Sequence, residues 1–194
     1  WALAATNGAD GMTEGFGFAG RIDIDIMGEM PENEGAYGAA EGTNLNVGIA
    51  YADDSSDDAS GMSLDATRVM ADATLVAGSF SVFAEVTDFD EDVGPSYMGT
   101  MIDANNTPWS AGLSYLLGEE YEFGFRYDAW DASETTGAAF FDTNRYNFVA
   151  NRYIIGHDVK WQVQFSMGDN KVGGPSSANV GEHTIFSVGL ALGF

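Results

Sequence analysis

The residues of this chain that could do chemistry are mostly charged, and they come at every second position. Arg21, Asp23 and Asp25 alternate with Ile22, Ile24 and Ile26; Glu120, Glu122, Arg126 and Asp128 alternate with Tyr121, Phe123, Phe125 and Tyr127; Lys160, Gln162 and Gln164 alternate with Trp161, Val163 and Phe165. Successive side chains point to opposite faces of a strand, so each run puts fixed charge on one face and apolar bulk on the other. A face of that kind attracts, repels and guides ions. Patterns for bond-making chemistry are thin. His157 and His183 fall at opposite ends of their strands, one at a turn and one beneath a loop, and form neither a metal pair nor a Ser–His dyad. There is no Gly-x-Ser-x-Gly elbow. The run DDSSDDASG is dense in acid but lacks the spacing and closing Glu of a calcium loop. No cofactor, metal or catalytic residue is expected.

The elements that must carry these faces are strands. The clearest is the end of the chain, HTIFSVGLALGF, where Thr184, Phe186, Val188, Leu190, Leu192 and Phe194 share one face and Ile185, Ser187, Gly189, Ala191 and Gly193 the other. The same period predicts nine strands: 15–28, 44–52, 66–77, 79–87, 109–117, 121–129, 145–155, 159–167 and 183–194. Residues 1–14 read as a short apolar end and a loop. The connections alternate long and short. Segments 53–65, 88–107, 130–144 and 169–182 are long; 78–79, 118–119 and 156–157 are tight turns; 28–43, rich in Gly and Glu, is long where a short turn is due. Long external loops and short periplasmic turns are the habit of an outer-membrane barrel. Aromatic residues form two belts about a strand apart, Tyr51, Trp109, Tyr127, Tyr146 and Phe186 toward the long loops and Tyr115, Tyr121, Trp161 and Phe194 toward the turns, as two membrane interfaces select.

Composition narrows the class. With 7 Lys+Arg against 30 Asp+Glu the net charge is −23, which excludes binding to nucleic-acid phosphates. The absence of Cys excludes disulfides and Cys-ligated zinc. No apolar run approaches the ~20 residues of a membrane helix. Mean hydropathy is near zero, as expected where half of every strand is polar. The chain starts at Trp1, with neither Met nor signal peptide, and is expected to be processed or incomplete. The competing fold is a soluble β-sandwich, whose apolar faces form a core; its strands are usually ~5–6 residues long, shorter than the 9–12 read here. The expected fold is therefore all-β, a transmembrane antiparallel β-barrel forming a single outer-membrane domain over 1–194.

Two stretches also suggest a family. GRIDIDIMGEMPENEGAYGAAEGTNLNVGIAYADD joins a Gly-Arg strand through a Gly/Glu-rich link to a strand with Val-Gly-x-x-Tyr, and NRYNFVANRYIIGHDVKWQVQF crosses a hairpin. With the terminal strand ending in Phe, they resemble the C-terminal half of the phosphate-selective porin O/P family. The resemblance implies a homotrimeric, 16-stranded channel of roughly twice this length, of which this chain would supply about nine C-terminal strands. It places the link 28–43 on the periplasmic side and implies partners in outer-membrane lipid, lipopolysaccharide and the barrel-assembly machinery. The last would read Phe186, Val188, Leu190, Leu192 and Phe194 as an assembly signal.

By strand parity the pore lining comprises Arg21, Asp23, Asp25, Arg68, Asp72, Glu85, Glu122, Arg126, Asp128, Lys160, Gln162 and Gln164, with Glu120, Arg145 and Asp158 on the same face. Phosphate selectivity needs a ladder of fixed positive charge, and these positions mix both signs. The four long loops hold 15 acidic residues and one basic residue, Lys171. Those acids could set selectivity, or could serve solubility and bridge lipopolysaccharide through divalent cations. Each lumen charge could act on solutes or merely pair with a neighbour, as Arg126 could with Glu122 or Asp128. The functional reading is passive diffusion of small solutes or ions; the alternatives are a barrel hydrolase and a small closed barrel with a structural or adhesive role.

Overall fold

The computed structural model describes residues 1–6, 16–30, 35–37, 42–57, 63–93, 102–130, 140–155, 159–173 and 181–192. The strands are β1 (Ala2–Thr6), β2 (Phe16–Met27), β3 (Thr43–Asp57), β4 (Ser63–Ala77), β5 (Phe80–Val93), β6 (Ile102–Asn106), β7 (Trp109–Leu117), β8 (Tyr121–Trp130), β9 (Phe140–Ile155), β10 (Val159–Gly173) and β11 (Gly181–Leu192). All lie in one antiparallel sheet in which each strand pairs with its neighbours in the chain. Segments β6 and β7 both pair with β5, end to end, so they are two pieces of one strand. Pro108 divides them, lacking the N–H a ladder needs, while its carbonyl accepts the Thr87 N–H at 2.9 Å. The sheet is thus ten strands across, and it is not closed.

Two expectations need correction. Residues 1–14 do not begin as an irregular end: Ala2–Thr6 pairs with Gly17–Arg21 as β1. ALAAT has too little polarity to alternate, so period alone could not find it. The strands also run further than expected into the long-loop segments. Asp53–Asp57 pairs with Ser63–Thr67, and Asp88–Val93 continues the ladder opposite Leu64–Val69. Beyond a membrane both faces of a strand meet water, so the ladder continues where the alternation stops. Several acids expected in loops therefore stand on strand extensions.

Burial excludes a soluble core. Among the described residues the buried apolar side chains are only Ala36, Ala66, Val76 and Tyr153. The apolar face lies open instead, with Ile22 53% exposed, Phe123 50% and Phe186 67%. Cross-strand register runs Met27–Leu45–Leu75–Val82–Leu113–Phe125–Phe148–Phe165–Phe186 around the sheet as one continuous apolar row. In water that exposure would drive aggregation; in hydrocarbon it is the favoured arrangement, because the ladder satisfies the backbone internally. Toward the long loops Trp109 and Tyr127 lie 5.2 Å apart and Tyr127 and Tyr146 4.9 Å apart; toward the turns Phe80 and Tyr115 lie 4.7 Å apart. Phe186 belongs to the middle row and not to the belt near the long loops, because it registers with Phe165. The tight turns use Gly78 and Gly118 at φ +57° and +68°, a region open to residues without a Cβ. The turn around Gly156 and His157, with Asp158, lies outside the described residues.

Arg152 lies in β9 two residues from Ile154 and four from Phe148, and so shares their apolar face near the turns. It stands opposite Tyr121 and Trp161, its guanidinium 5.6 Å from the Tyr121 ring centre. The register slips between Val159 and Lys160, which leaves Ile154 unpaired.

Candidate functional site

The opposite face of the sheet is polar, and its charges come in clusters fixed by register. One cross-strand row reads Asp23–Gly48–Asp72–Glu85–Ser110–Asp128–Arg145. Asp72 and Glu85 stand directly opposite each other, which unaided would destabilise the pair. An arginine from the next row relieves each. Arg21 binds Asp23 at 2.6 Å and Asp72 at 2.8 Å. Arg126 binds Glu85 at 2.8 Å and also Asp128. Gly48 makes the first cluster possible: a Cβ there would fall 2.6 Å from Asp72 Oδ2 and into the Arg21 guanidinium. With no side chain at 48, Arg21 crosses β3 to reach β4.

Neutral polar side chains extend the clusters. Ser110 Oγ donates to Glu85 at 2.6 Å, and Asn147 Nδ2 donates to Asp128 at 2.7 Å. Asn147 Oδ1 accepts from Ser166 at 2.7 Å and from Gln164 at 3.4 Å. Asp25 accepts from Asn46 at 2.8 Å. Arg68 stands nearer the long loops, 5.8 Å from the Phe89 ring centre. Lys160 lies 5.9 Å from the Tyr153 ring centre, and Gln162 registers with Asn151.

A third cluster centres on Glu122, which is 4% exposed. It accepts hydrogen bonds from Ser114 Oγ at 2.6 Å, from the Tyr153 hydroxyl, and from the backbone N–H of Ala36 at 2.9 Å. Ala36 comes from the connection between β2 and β3. Beside it Tyr37 stacks on Tyr153 with centroids 4.1 Å apart. Gly35, at φ +86°, has no room for a Cβ against the Glu122 carboxylate.

A charged, internally paired wall backed by an exposed apolar face is what a barrel channel presents to water and to lipid. Residues 27–173, about three quarters of the chain, match the family described as Gram-negative porin. The chain belongs to the Gram-negative porin family. The porin is an outer-membrane protein and a channel for passive diffusion. No curated protein and no solved structure matches it at a significant level.

Arg21, Asp23, Asp72, Glu85, Glu122, Arg126 and Asp128 share the porin's polar face, while Glu120 stands in the turn before β8. Of the two pairings expected for Arg126, the one with Asp128 is present and the one with Glu122 is not. Arg126 turns to Glu85 and Asp128, leaving Glu122 to the Ala36 segment. Sequence reasoning missed Gly48, Ala36, Tyr37 and Tyr153. Of these only Tyr153 carried a signal, being an aromatic residue on the polar face of its strand. The alternation in 109–117 already set Ser110 and Ser114 opposite the apolar residues, without giving them partners. In β11, Phe186, Val188 and Leu190 are exposed on the apolar face and Leu192 ends the strand; Phe194 lies outside the described residues.

Proposed function

We propose that the polar face is the wall of a water-filled pore that prefers small cations in dilute salt. The observation that carries this is that each of the two central arginines is held by two carboxylates. Arg21 lies between Asp23 and Asp72, and Arg126 between Glu85 and Asp128. Each cluster keeps a net negative charge, so neither arginine serves as a rung of an anion ladder. Phosphate selectivity, the finer family reading, loses its physical support at these positions. Ten carboxylates without Lys or Arg in segments 53–65 and 88–107 add a negative mouth at the long-loop end.

Single-channel reversal potentials under a KCl gradient test the reading. The field of such groups reaches ~30 Å at 0.01 M salt and ~3 Å at 1 M, so cation preference should be present in dilute salt and fade as salt rises. Anion preference persisting in dilute salt would reinstate the phosphate reading.

The same proposal covers assembly. The strands described form part of a single barrel domain closed by further strands, 16 in all as the porin O/P resemblance implies, in a homotrimer. The short turns face the periplasm, and the apolar face contacts lipid and lipopolysaccharide acyl chains. Phe186, Val188, Leu190, Leu192 and Phe194 form the signal read by the barrel-assembly machinery. The arginine, lysine, Gln162 and Gln164 side chains act on solutes as a wall, with no bond made or broken.

A further inference from the structure

From the latching of Ala36 to Glu122 we infer that residues 35–37 form a pore-narrowing element, a piece of backbone held inside the channel at its short-turn end and setting the size of solute that passes. The inference rests on the reading of the polar face as the pore wall.

The connection between β2 and β3 is long at an end of the sheet where the other described turns are tight. Its residues 35–37 meet Glu122 of β8 and Tyr153 of β9. Five strand spacings of ~4.8 Å separate β2 from β8, about 24 Å along the sheet. Gly28 and Ala36 are eight residues apart, a chain reach of at most about 28 Å. The segment can thus cross the polar face to a wall on the far side, where it takes up room that ions and solutes would use.

The attachment is built for that position. Glu122 is a carboxylate almost wholly removed from water, and an isolated buried carboxylate is costly. It is satisfied here by donors from Ser114, Tyr153 and Asn151 and by the Ala36 N–H. The Tyr37 ring closes over Tyr153, whose other environment includes the Lys160 ammonium. Gly35 supplies the left-handed backbone and the absent Cβ that let the chain come this close to the carboxylate. At the root, the Glu29 N–H donates to the Asn44 side chain at 3.2 Å, and Asn44 is 1% exposed. The segment is therefore fixed at its base and at its far contact.

Planar-bilayer recording of the full porin tests this in two ways. In Tyr37→Cys, which introduces the only thiol of this chain, a bulky charged methanethiosulfonate reagent should produce stepwise loss of single-channel current. In Ala36→Pro, which deletes the N–H and leaves Glu122 in place, conductance should rise and larger uncharged polymers should enter the pore. If labelled Tyr37→Cys channels conduct as before, or if Ala36→Pro leaves conductance and polymer exclusion unchanged, the segment does not narrow the pore. Both readouts come from inserted, conducting channels, so a misfolded fraction does not contribute. A parent protein without conductance would instead overturn the channel reading of the polar face.

Discussion

Replacing Arg126 by Gln removes one positive charge from a cluster with two carboxylates and takes its net charge from −1 to −2. The side chains of Arg126, Glu85 and Asp128 are 45%, 36% and 29% exposed. Ion pairs this wet contribute ~0.2–1 kcal/mol each, so the substitution should cost the fold less than about 2 kcal/mol and leave a barrel to measure. Its effect on ions is larger in kind. For an ion about 8 Å away in water, one unit of uncompensated charge is worth ~0.5 kcal/mol. Screening leaves ~0.4 kcal/mol of that at 0.01 M salt and under ~0.05 kcal/mol at 1 M. With tenfold per ~1.4 kcal/mol, the local cation concentration should rise about twofold in dilute salt and the anion concentration fall about twofold. The permeability ratio should therefore move about fourfold toward cations at 0.01 M and hardly at all at 1 M. Reversal potentials of wild-type and Arg126→Gln channels under a KCl gradient, at both ends of that salt range, read this directly. An unchanged potential in dilute salt, or a shift toward anions, would refute the placement of this cluster on the permeation path.

Two further outcomes follow from register and close packing. Gly48→Ala puts a methyl group into the Arg21–Asp72 contact and should destabilise the barrel by ~1–2 kcal/mol in urea unfolding from lipid vesicles; an unaltered midpoint would show that the Arg21 cluster can shift freely. Val163→Cys and Gln164→Cys occupy opposite faces of β10, so a water-soluble thiol reagent should label the second far faster than the first, and equal rates would mean that β10 is out of register.

How much of this was legible in the sequence depends on what each residue had to say locally. Ile22, Ile24 and Ile26 against Arg21, Asp23 and Asp25 declare a two-faced strand, because one face must suit hydrocarbon and the other water. Asp53–Asp57 and Asp88–Val93 declare nothing, since strands above the membrane are wet on both faces; only the ladder reveals them. The side-chain clusters were legible as a set and not as pairs. Parity put Arg126 on the face of Glu122, Asp128 and Glu85 without saying which it would take, and Glu122 turns out to be held by Ser114, Tyr153 and the N–H of Ala36. Ala36 offers a backbone N–H, which every residue except proline has, and nothing in its side chain marks it. Gly48 was equally silent: a glycine in a strand could mark a bulge, a bend or a close approach, and here the approach of Arg21 decides.

The pairing order has a kinetic side. Every strand joins the one beside it in the chain, so most of the sheet can form by successive hairpins at small loop-closure cost. The Ala36–Glu122 bond is different, spanning 86 residues. It needs Glu122 of β8 in place, so on the pore-narrowing proposal the end of the porin that faces its short turns should stay open through the early hairpins and become constricted late. Water and unfolded loop segments would have a wide passage while the barrel is being built, and the channel would acquire its final bore as a closing event of folding.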